Sequence, residues 1–186
     1  MQTRAYLYAF LSRLFADTMG SREIADLKAN QQLLKMIGPK TAAWFAKESP
    51  EVIAERLNTD YTTAFVVTTQ PLESTVREAK TEVLIGLENP VMAFYHRHGY
   101  SINLAATTIV SPDHLAIELG FMQNLILQDD QATQRAFMDE HLMAWAIPYL
   151  MGAAKIVSTP FYKEAIDFAI EFLASDYNDL CRQDHA

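Results

Sequence analysis

The chain of 186 residues has the length of one ordinary domain, and half of its residues are apolar while a fifth are charged, so it is neither a disordered segment nor a low-complexity linker. Its formal net charge of −8 disfavours broad binding to the phosphates of nucleic acid. The acids are concentrated late, because residues 1–110 carry eleven acids and eleven bases whereas residues 111–186 carry twelve acids and four bases. An acidic second part suits a basic partner, although solubility alone would also explain it.

Helical spacing dominates the first sixty residues. Gly38-Pro39 and Ser49-Pro50 are strong boundary signals, because proline favours the first turn of a helix and glycine favours its end. They divide this region into several short helices. The opening helix has a stripe of apolar residues three or four positions apart, which are Ala5, Tyr8, Leu11 and Phe15.

Residues 61–72 give a mixed signal. Their β-branched residues are typical of a strand, but no partner strand of similar character is visible apart from residues 107–110. We therefore predict a helix that continues into an extended loop, which Pro71 and Ser74 mark.

The second part of the chain is also predicted to be helical. Pro90 begins a helix that ends near Gly99. Ser111, Pro112 and Asp113 are typical of another helix start, with a cap, a first-turn proline and an acid that the helix dipole favours. The remaining helices are predicted at about 112–128, 132–144, 145–157 and 160–176.

This pattern predicts an all-α protein, a compact helical bundle of about nine to twelve helices. Residues 99–111 begin with glycine, carry no charge and have little helical periodicity, so we predict a hinge there. The hinge would join an N-terminal helical part, 1–98, to a C-terminal helical part, 112–186, within one domain overall.

The cysteine count and the apolar runs indicate the compartment. Cys181 is the only cysteine, which excludes an intramolecular disulfide and favours a reducing, cytoplasmic location. No uncharged run reaches the about 18–20 apolar residues of a membrane helix, so no stable membrane insertion is expected. Arg13 interrupts the N-terminal apolar stretch too early for a secretory signal, so we expect no export.

Three polar side chains stand out on predicted helices. His114 and Glu118 are four residues apart and able to hydrogen-bond each other, on a flank that Phe121 shares. They form either a surface pair or a polar cluster at the mouth of a groove between helices. His141 lies on an apolar stripe with Phe137 and Trp145, which favours a core histidine with one buried partner.

The sequence gives no indication of an enzymatic activity. It contains no Gly-x-Ser-x-Gly, Walker A or Gly-x-Gly-x-x-Gly pattern. Carboxylate-bridged metal sites in helical bundles use Glu-x-x-His pairs, and the chain has none. We therefore predict no metal and no cofactor.

The order of five segments is more informative than any one of them. They are Tyr8-x-x-Leu11-x-x-Leu14-Phe15, Tyr61 to Phe65 leading to Pro71-x-Glu73-Ser74, Val91-x-x-Phe94-Tyr95 before Gly99, Pro112-Asp113-His114-Leu115-x-x-Glu118-Leu119-x-Phe121-Met122, and Phe137-x-x-x-His141-Leu142-x-x-Trp145. This order, across about residues 8 to 145, resembles the TorD/DmsD family of cytoplasmic chaperones that mature twin-arginine-exported molybdoenzymes. The segment from Pro112 to Leu119 is the most specific. Val76 stands where the family's loop usually has an aromatic residue.

The resemblance implies a TorD-like helical fold that binds and does no chemistry. Its partners would be the twin-arginine signal peptide and the apoprotein of a molybdopterin oxidoreductase of the DMSO or TMAO reductase type, held for cofactor insertion before export. One alternative is a nitrate-reductase-type assembly chaperone that acts mainly on the mature apoenzyme. Another is an enzyme such as a nucleotide hydrolase or a metal-dependent hydrolase.

The predicted hinge indicates an oligomeric state, and the resemblance implies a client-binding surface. A hinge between two helical parts allows exchange of one part between protomers, so we expect a monomer with a minor domain-swapped dimer. The candidate client-binding residues are Tyr61, Phe65, Pro71, Glu73, Ser74, Pro112, Asp113, His114, Glu118 and Phe121.

Overall fold

A computed structural model describes residues 2–78, 86–104, 107, 109 and 111–183. Its regular elements confirm the all-α prediction, and the β-type pairing in this part of the chain is an isolated bridge between Leu72 and His114. The α-helices in chain order are α1 (Gln2–Ala16), α2 (Ser21–Ala29), α3 (Gln31–Ile37), α4 (Pro39–Lys47), α5 (Pro50–Tyr61), α6 (Glu73–Glu78), α7 (Pro90–Arg97), α8 (Leu115–Leu127), α9 (Gln131–Phe137), α10 (Met143–Ala153) and α11 (Pro160–Gln183).

Two helical runs include π-helical turns. Thr62–Thr68 extends α5 in this form before the chain becomes extended at Thr69, which confirms the predicted helix leading into a loop. Ser74, predicted to mark that loop, instead lies in α6, because the hydrogen bond from Glu73 N–H to the Asp113 carbonyl fixes the start of this helix. Met138–Leu142 joins α9 to α10. The predicted break between residues 144 and 145 is therefore wrong. The helical run crosses it because side chains on both sides of it, Leu142 and Trp145 among them, are fully buried.

The start of α8 is also predicted wrongly, by three residues. His114 is its N-cap, and Ser111 does not cap the helix. The reason is tertiary, because the backbone of Asp113 and Leu115 is hydrogen-bonded to the segment at Pro71 and Glu73, which keeps residues 111–114 out of the helix.

The chain forms two compact units. The first unit comprises Met1–Ala16, Pro71–Tyr149 and Ser175–Ala186, and the second comprises Asp17–Gln70 and Leu150–Ala174. Residues 105, 106, 108 and 110 of the predicted hinge lie outside the described residues. The hinge at 99–111 and the division into parts 1–98 and 112–186 stay predictions.

In the first unit, α1 packs along α8 and is tied to the end of α11. The predicted stripe of α1 is buried, as its spacing required. The Tyr8 hydroxyl donates to Asp176 Oδ2 at 2.8 Å, and the Arg4 guanidinium donates to both Asp176 oxygens. These bonds satisfy the buried Asp176, and Leu180, one turn further, is also buried, which explains why α11 continues beyond its predicted end at residue 176.

In the second unit, two carboxylates cap helices that are distant in sequence. Asp60 accepts hydrogen bonds from the backbone N–H groups of Ser158 and Thr159, at 3.0 and 2.7 Å, just before α11 begins. Glu164 accepts from the backbone N–H groups of Lys40 and Thr41 in the first turn of α4. Each carboxylate therefore satisfies donors that a helix start leaves unpaired.

Candidate functional site

Two segments that the sequence singles out meet in the first unit. Glu73 N–H donates to the Asp113 carbonyl at 3.0 Å, and Leu115 N–H donates to the Pro71 carbonyl at 2.9 Å. The structure thereby places the candidate residues Pro71, Glu73 and Ser74 beside Asp113 and His114. These bonds hold an otherwise irregular stretch of backbone in one geometry.

Asp113 anchors this meeting point. The residue is 1% exposed, and its carboxylate accepts hydrogen bonds from Ser74 N–H, at 2.9 Å, and from the Ser111 hydroxyl. Burial opposes ionisation, but the hydrogen bonds from Ser111 and Ser74 outweigh it and lower the pKa of Asp113. The site therefore contains a fixed, buried negative charge.

His114 and Glu118 do not form the predicted pair. The ring Nδ1 of His114 accepts from Ala116 N–H at 3.1 Å, because the histidine caps α8. Glu118 instead accepts a hydrogen bond from the indole Nε1–H of Trp145 at 3.1 Å. Burial lowers the pKa of His114 to about 4 although the Asp113 charge opposes it. Burial, reinforced by the charge of Glu73, raises the pKa of Glu118 well above its usual range.

Glu73 lies between a histidine and an arginine. His141 Nδ1 lies 3.0 Å from Glu73 Oε2 and 3.2 Å from Oε1, and both side chains are buried. Arg77, one turn further along α6, forms an ion pair with Glu73 and donates to the Glu140 carbonyl at 3.0 Å. The predicted single buried partner of His141 is therefore confirmed, and it is Glu73.

Phe121 and Pro112 contribute to the core around the site. The Phe121 ring meets the ring of Tyr95 edge-on with centroids 4.4 Å apart, and it packs in the same way on Phe137. The Tyr95 hydroxyl donates to the Pro112 carbonyl at 3.4 Å. Both candidate residues are buried, so they belong to the packed core next to the polar side chains of the site.

Tyr61 and Phe65 belong to the second unit. Their rings lie 5.5 Å apart, and Phe65 also packs on Tyr162. Both are buried, whereas the next two residues, Val66 and Val67, are exposed. These two candidates therefore lie in an aromatic core beside an exposed apolar pair.

A small cavity opens beside the meeting point of the two segments. It has a volume of about 220 Å³. Its lining joins acids, a hydroxyl, one cation and an apolar wall, in the residues Glu73, Ser74, Arg77, Pro90, Val91 and Asp113. We refer to it as the Ser74 cavity. Three of the candidate residues face it.

Arg77 and Trp145 are site residues that sequence reasoning did not select. Arg77 follows Glu73 by four residues, a spacing that favours an ion pair on a helix, but the sequence predicts a loop where α6 lies. The sequence places Trp145 beside His141 but does not indicate that it is the hydrogen-bond donor of Glu118. No local signal indicates a partner 27 residues away.

Among the described residues, no group of three or more His, Cys, Asp or Glu side chains lies close enough to hold a metal ion. None of the helices in that part of the chain is both long and apolar enough to span a membrane.

The site can be set beside known proteins. The sequence model of the nitrate reductase delta subunit family matches residues 25–149, which is more than half of the chain. The chaperone protein TorD of Vibrio vulnificus strain YJ016 is 32% identical over 98 residues, which cover 46% of this chain and 45% of that protein. The TorD of Shewanella pealeana is 24% identical over 198 aligned positions, covering 94% of this chain and 88% of that protein. The Vibrio match thus spans less than half of that relative. No solved structure matches the chain.

Proposed function

The chain belongs to the nitrate reductase delta subunit family, in which the TorD-like chaperones fall, and on this premise we propose that it is a cytoplasmic chaperone for a molybdopterin oxidoreductase with a twin-arginine signal peptide. It would hold the apoprotein and its signal peptide until the cofactor is inserted. Its own part would be binding alone, with no chemical step and no metal or cofactor of its own.

One observation supports this face of the first unit as the binding site. Residues 71–74 and 112–118, the segments that carry the family resemblance, are joined by backbone hydrogen bonds and border the Ser74 cavity. Two helix starts joined by backbone hydrogen bonds around the ionised carboxylate of Asp113 are an arrangement typical of a binding site.

The chemistry of a twin-arginine signal peptide suits this site. Its two guanidinium groups form strong charge-assisted hydrogen bonds with carboxylates, and the chain carries a net charge of −8. Its apolar region would need an apolar surface, and exposed apolar side chains such as Val76 and Leu87 occur in the first unit.

The test is calorimetry with signal peptides from the molybdenum reductases of the host. We expect one of them to bind with a dissociation constant of about 1 μM or below, equivalent to about −8 kcal/mol. A peptide of the same composition in scrambled order is the control and should bind at least about tenfold more weakly, a loss of about 1.4 kcal/mol. If no signal peptide and no apoenzyme of the host binds, the proposal is wrong.

The match to the nitrate reductase delta subunit family favours a second candidate function. A chaperone of the nitrate reductase type would act mainly on the mature apoenzyme. The two functions differ in one measurement, because this candidate binds an apoenzyme that lacks its signal sequence and does not bind the isolated peptide.

We also propose that the chain is a monomer with a minor, slowly exchanging domain-swapped dimer. Light scattering on freshly purified and on aged samples tests this. A single permanent higher oligomer would contradict it.

A further inference from the structure

The Ser74 cavity has the dimensions and the lining of a site for one side chain. Its volume of about 220 Å³ is below the roughly 300–1,000 Å³ of pockets that hold whole small ligands. Pro90 and Val91 supply an apolar wall, while the carboxylates of Glu73 and Asp113 supply charge. An extended side chain with an apolar stem and a polar head would fit such a lining.

The charges of the lining select a cation. Glu73 and Asp113 are both carboxylates, and Arg77 is the one lining residue with a positive charge. The hydrogen bonds of Asp113 keep its pKa low, so it stays negative at neutral pH. Arg77 balances one of the two carboxylate charges and leaves one unbalanced. An anion entering the cavity would be repelled by this excess negative charge, whereas a cation would neutralise it.

A buried hydroxyl in the lining indicates a ligand with hydrogen-bond donors. Ser74 is 4% exposed and lines the cavity, and its Oγ has no hydrogen-bond partner among the described residues. A buried polar atom without a partner is costly, so such atoms are rare in folded proteins. A donor group from a bound partner would satisfy it.

We propose that the Ser74 cavity binds a guanidinium side chain of the client. When no client is bound, the guanidinium of Arg77 forms the ion pair with Glu73 instead. The planar guanidinium has five N–H donors, which suit two carboxylates and a hydroxyl better than the point charge of an ammonium group does. The source of this side chain rests on the proposed function, in which the client is a twin-arginine peptide.

Arg77 is suited to being displaced. Its side chain is 43% exposed, whereas that of Glu73 is 5% exposed. An ion pair with one exposed partner contributes little to stability, so a client guanidinium has only a weak competitor to replace. Glu73 keeps its contact with His141 throughout, because His141 lies within 3.2 Å of both carboxylate oxygens.

The first experiment uses a small probe. N-acetyl-arginine methylamide is titrated into the full chain and followed by the amide NMR signals of Ser74 and Val91, with the lysine analogue in parallel. We expect the arginine compound to bind more tightly than the lysine compound. Arg77→Met should tighten arginine binding about two- to fivefold, the factor that a partly exposed ion pair is worth.

Matched variants distinguish binding in the Ser74 cavity from a general effect of the protein's net charge. Arg97→Met makes the same change of charge at another exposed ion pair, with Glu140, and should leave binding of the probe unchanged. Ser74→Ala should weaken binding about two- to tenfold, the worth of one hydrogen bond. Thermal melts establish that each variant is folded. The proposal is wrong if Arg77→Met binds the probe no more tightly than the native chain, or if arginine and lysine compounds bind equally.

The second experiment separates the two proposals. A signal peptide with its two arginines is compared with the same peptide carrying two lysines, and we expect the arginine form to bind more tightly. Equal binding of both forms would overturn the guanidinium site and leave the proposed function intact. Binding of the arginine probe without binding of any signal peptide would overturn the proposed client and leave the guanidinium site.

Discussion

The indole N–H of Trp145 donates a hydrogen bond to the Glu118 carboxylate at 3.1 Å, and both side chains are fully buried in the first unit. The other carboxylate oxygen, Oε1, has no hydrogen-bond partner among the described residues. Burial and the charge of Glu73 therefore raise the pKa of Glu118 well above its usual range. The fold tolerates this carboxyl group best in its protonated form.

Glu118→Gln is expected to stabilise the protein at neutral pH. An amide can still accept from Trp145, and it has no ionised form to bury. A carboxyl group with a raised pKa in the folded state stabilises at low pH, and that contribution is lost as the pH rises above about 4.3. The gain from the substitution should thus grow from pH 4 to pH 8 and reach about 1 kcal/mol or more at neutral pH.

Urea unfolding of both proteins at several pH values measures this difference. Glu55→Gln, which neutralises an exposed glutamate, is the control and should change the free energy of unfolding little. A Glu118→Gln variant that is less stable at every pH would contradict the prediction.

His114 gives the opposite pH dependence. Its pKa of about 4 in the folded state, lowered by burial, lies below the about 6.5 of an unfolded chain. Between these values the unfolded chain binds the extra proton, so stability falls as the pH is lowered from about 7 to about 4, by about 2–3 kcal/mol.

His114→Asn isolates this effect, because asparagine keeps an acceptor for Ala116 N–H at the N-cap and does not titrate in this range. The difference in free energy of unfolding between the two proteins should shrink or reverse towards pH 4. Parallel pH profiles would show that His114 is not the group responsible.

Local signals predicted the elements of the fold better than their connections. The stripe of α1 was readable because a helix with one buried face repeats apolar residues every three or four positions. The start of α8 was not, because the signals at Ser111 and Pro112 are local, whereas the bonds from Asp113 and Leu115 to residues 71–73 depend on the tertiary fold.

The same limit applied to the site. The spacing of His114 and Glu118 predicts a pair, but the His114 side chain caps α8 and the Glu118 carboxylate accepts from Trp145. The apolar neighbours of His141 indicate that it has a buried partner. They do not identify the partner as Glu73, because the two residues are 68 positions apart in the sequence.

His141→Ala is expected to destabilise the protein by about 3 kcal/mol or more. It removes a ring that packs edge-on against Phe94, with centroids 5.2 Å apart, and it leaves the Glu73 carboxylate without its buried partner. Adding Glu73→Gln should recover part of the loss, because it removes a buried charge whose remaining partner, Arg77, is 43% exposed. Urea unfolding of the single and double variants measures both effects. If the double variant is less stable than His141→Ala alone, the buried charge is not the source of the loss.

The cap that Glu164 places on α4 leaves no room for a side chain at Gly38 unless Glu164 moves. The φ of Gly38 is 168°, an extended backbone that any residue adopts, so conformation is not the reason. A Cβ at this position would instead lie 2.2 Å from the Glu164 carboxylate. That carboxylate accepts from Lys40 N–H at 3.1 Å and from Thr41 N–H at 2.7 Å.

Gly38→Ala should therefore act by displacing the Glu164 cap. Since Glu164 is at the end of a flexible side chain, it can move away, and the cost is its two hydrogen bonds, about 1–2 kcal/mol. Glu164→Ala should cost about the same, and the double variant should cost little more than either single one, because each change removes the same interaction.

Urea unfolding of the three variants gives this coupling energy. Gly152→Ala is the matched control, since a Cβ there meets nothing within 4 Å inside α10, and it should be neutral or stabilise by up to about 1 kcal/mol. Additive losses in the double variant would contradict the shared mechanism, because Gly38→Ala would then destabilise the start of α4 by a route that leaves the Glu164 cap in place.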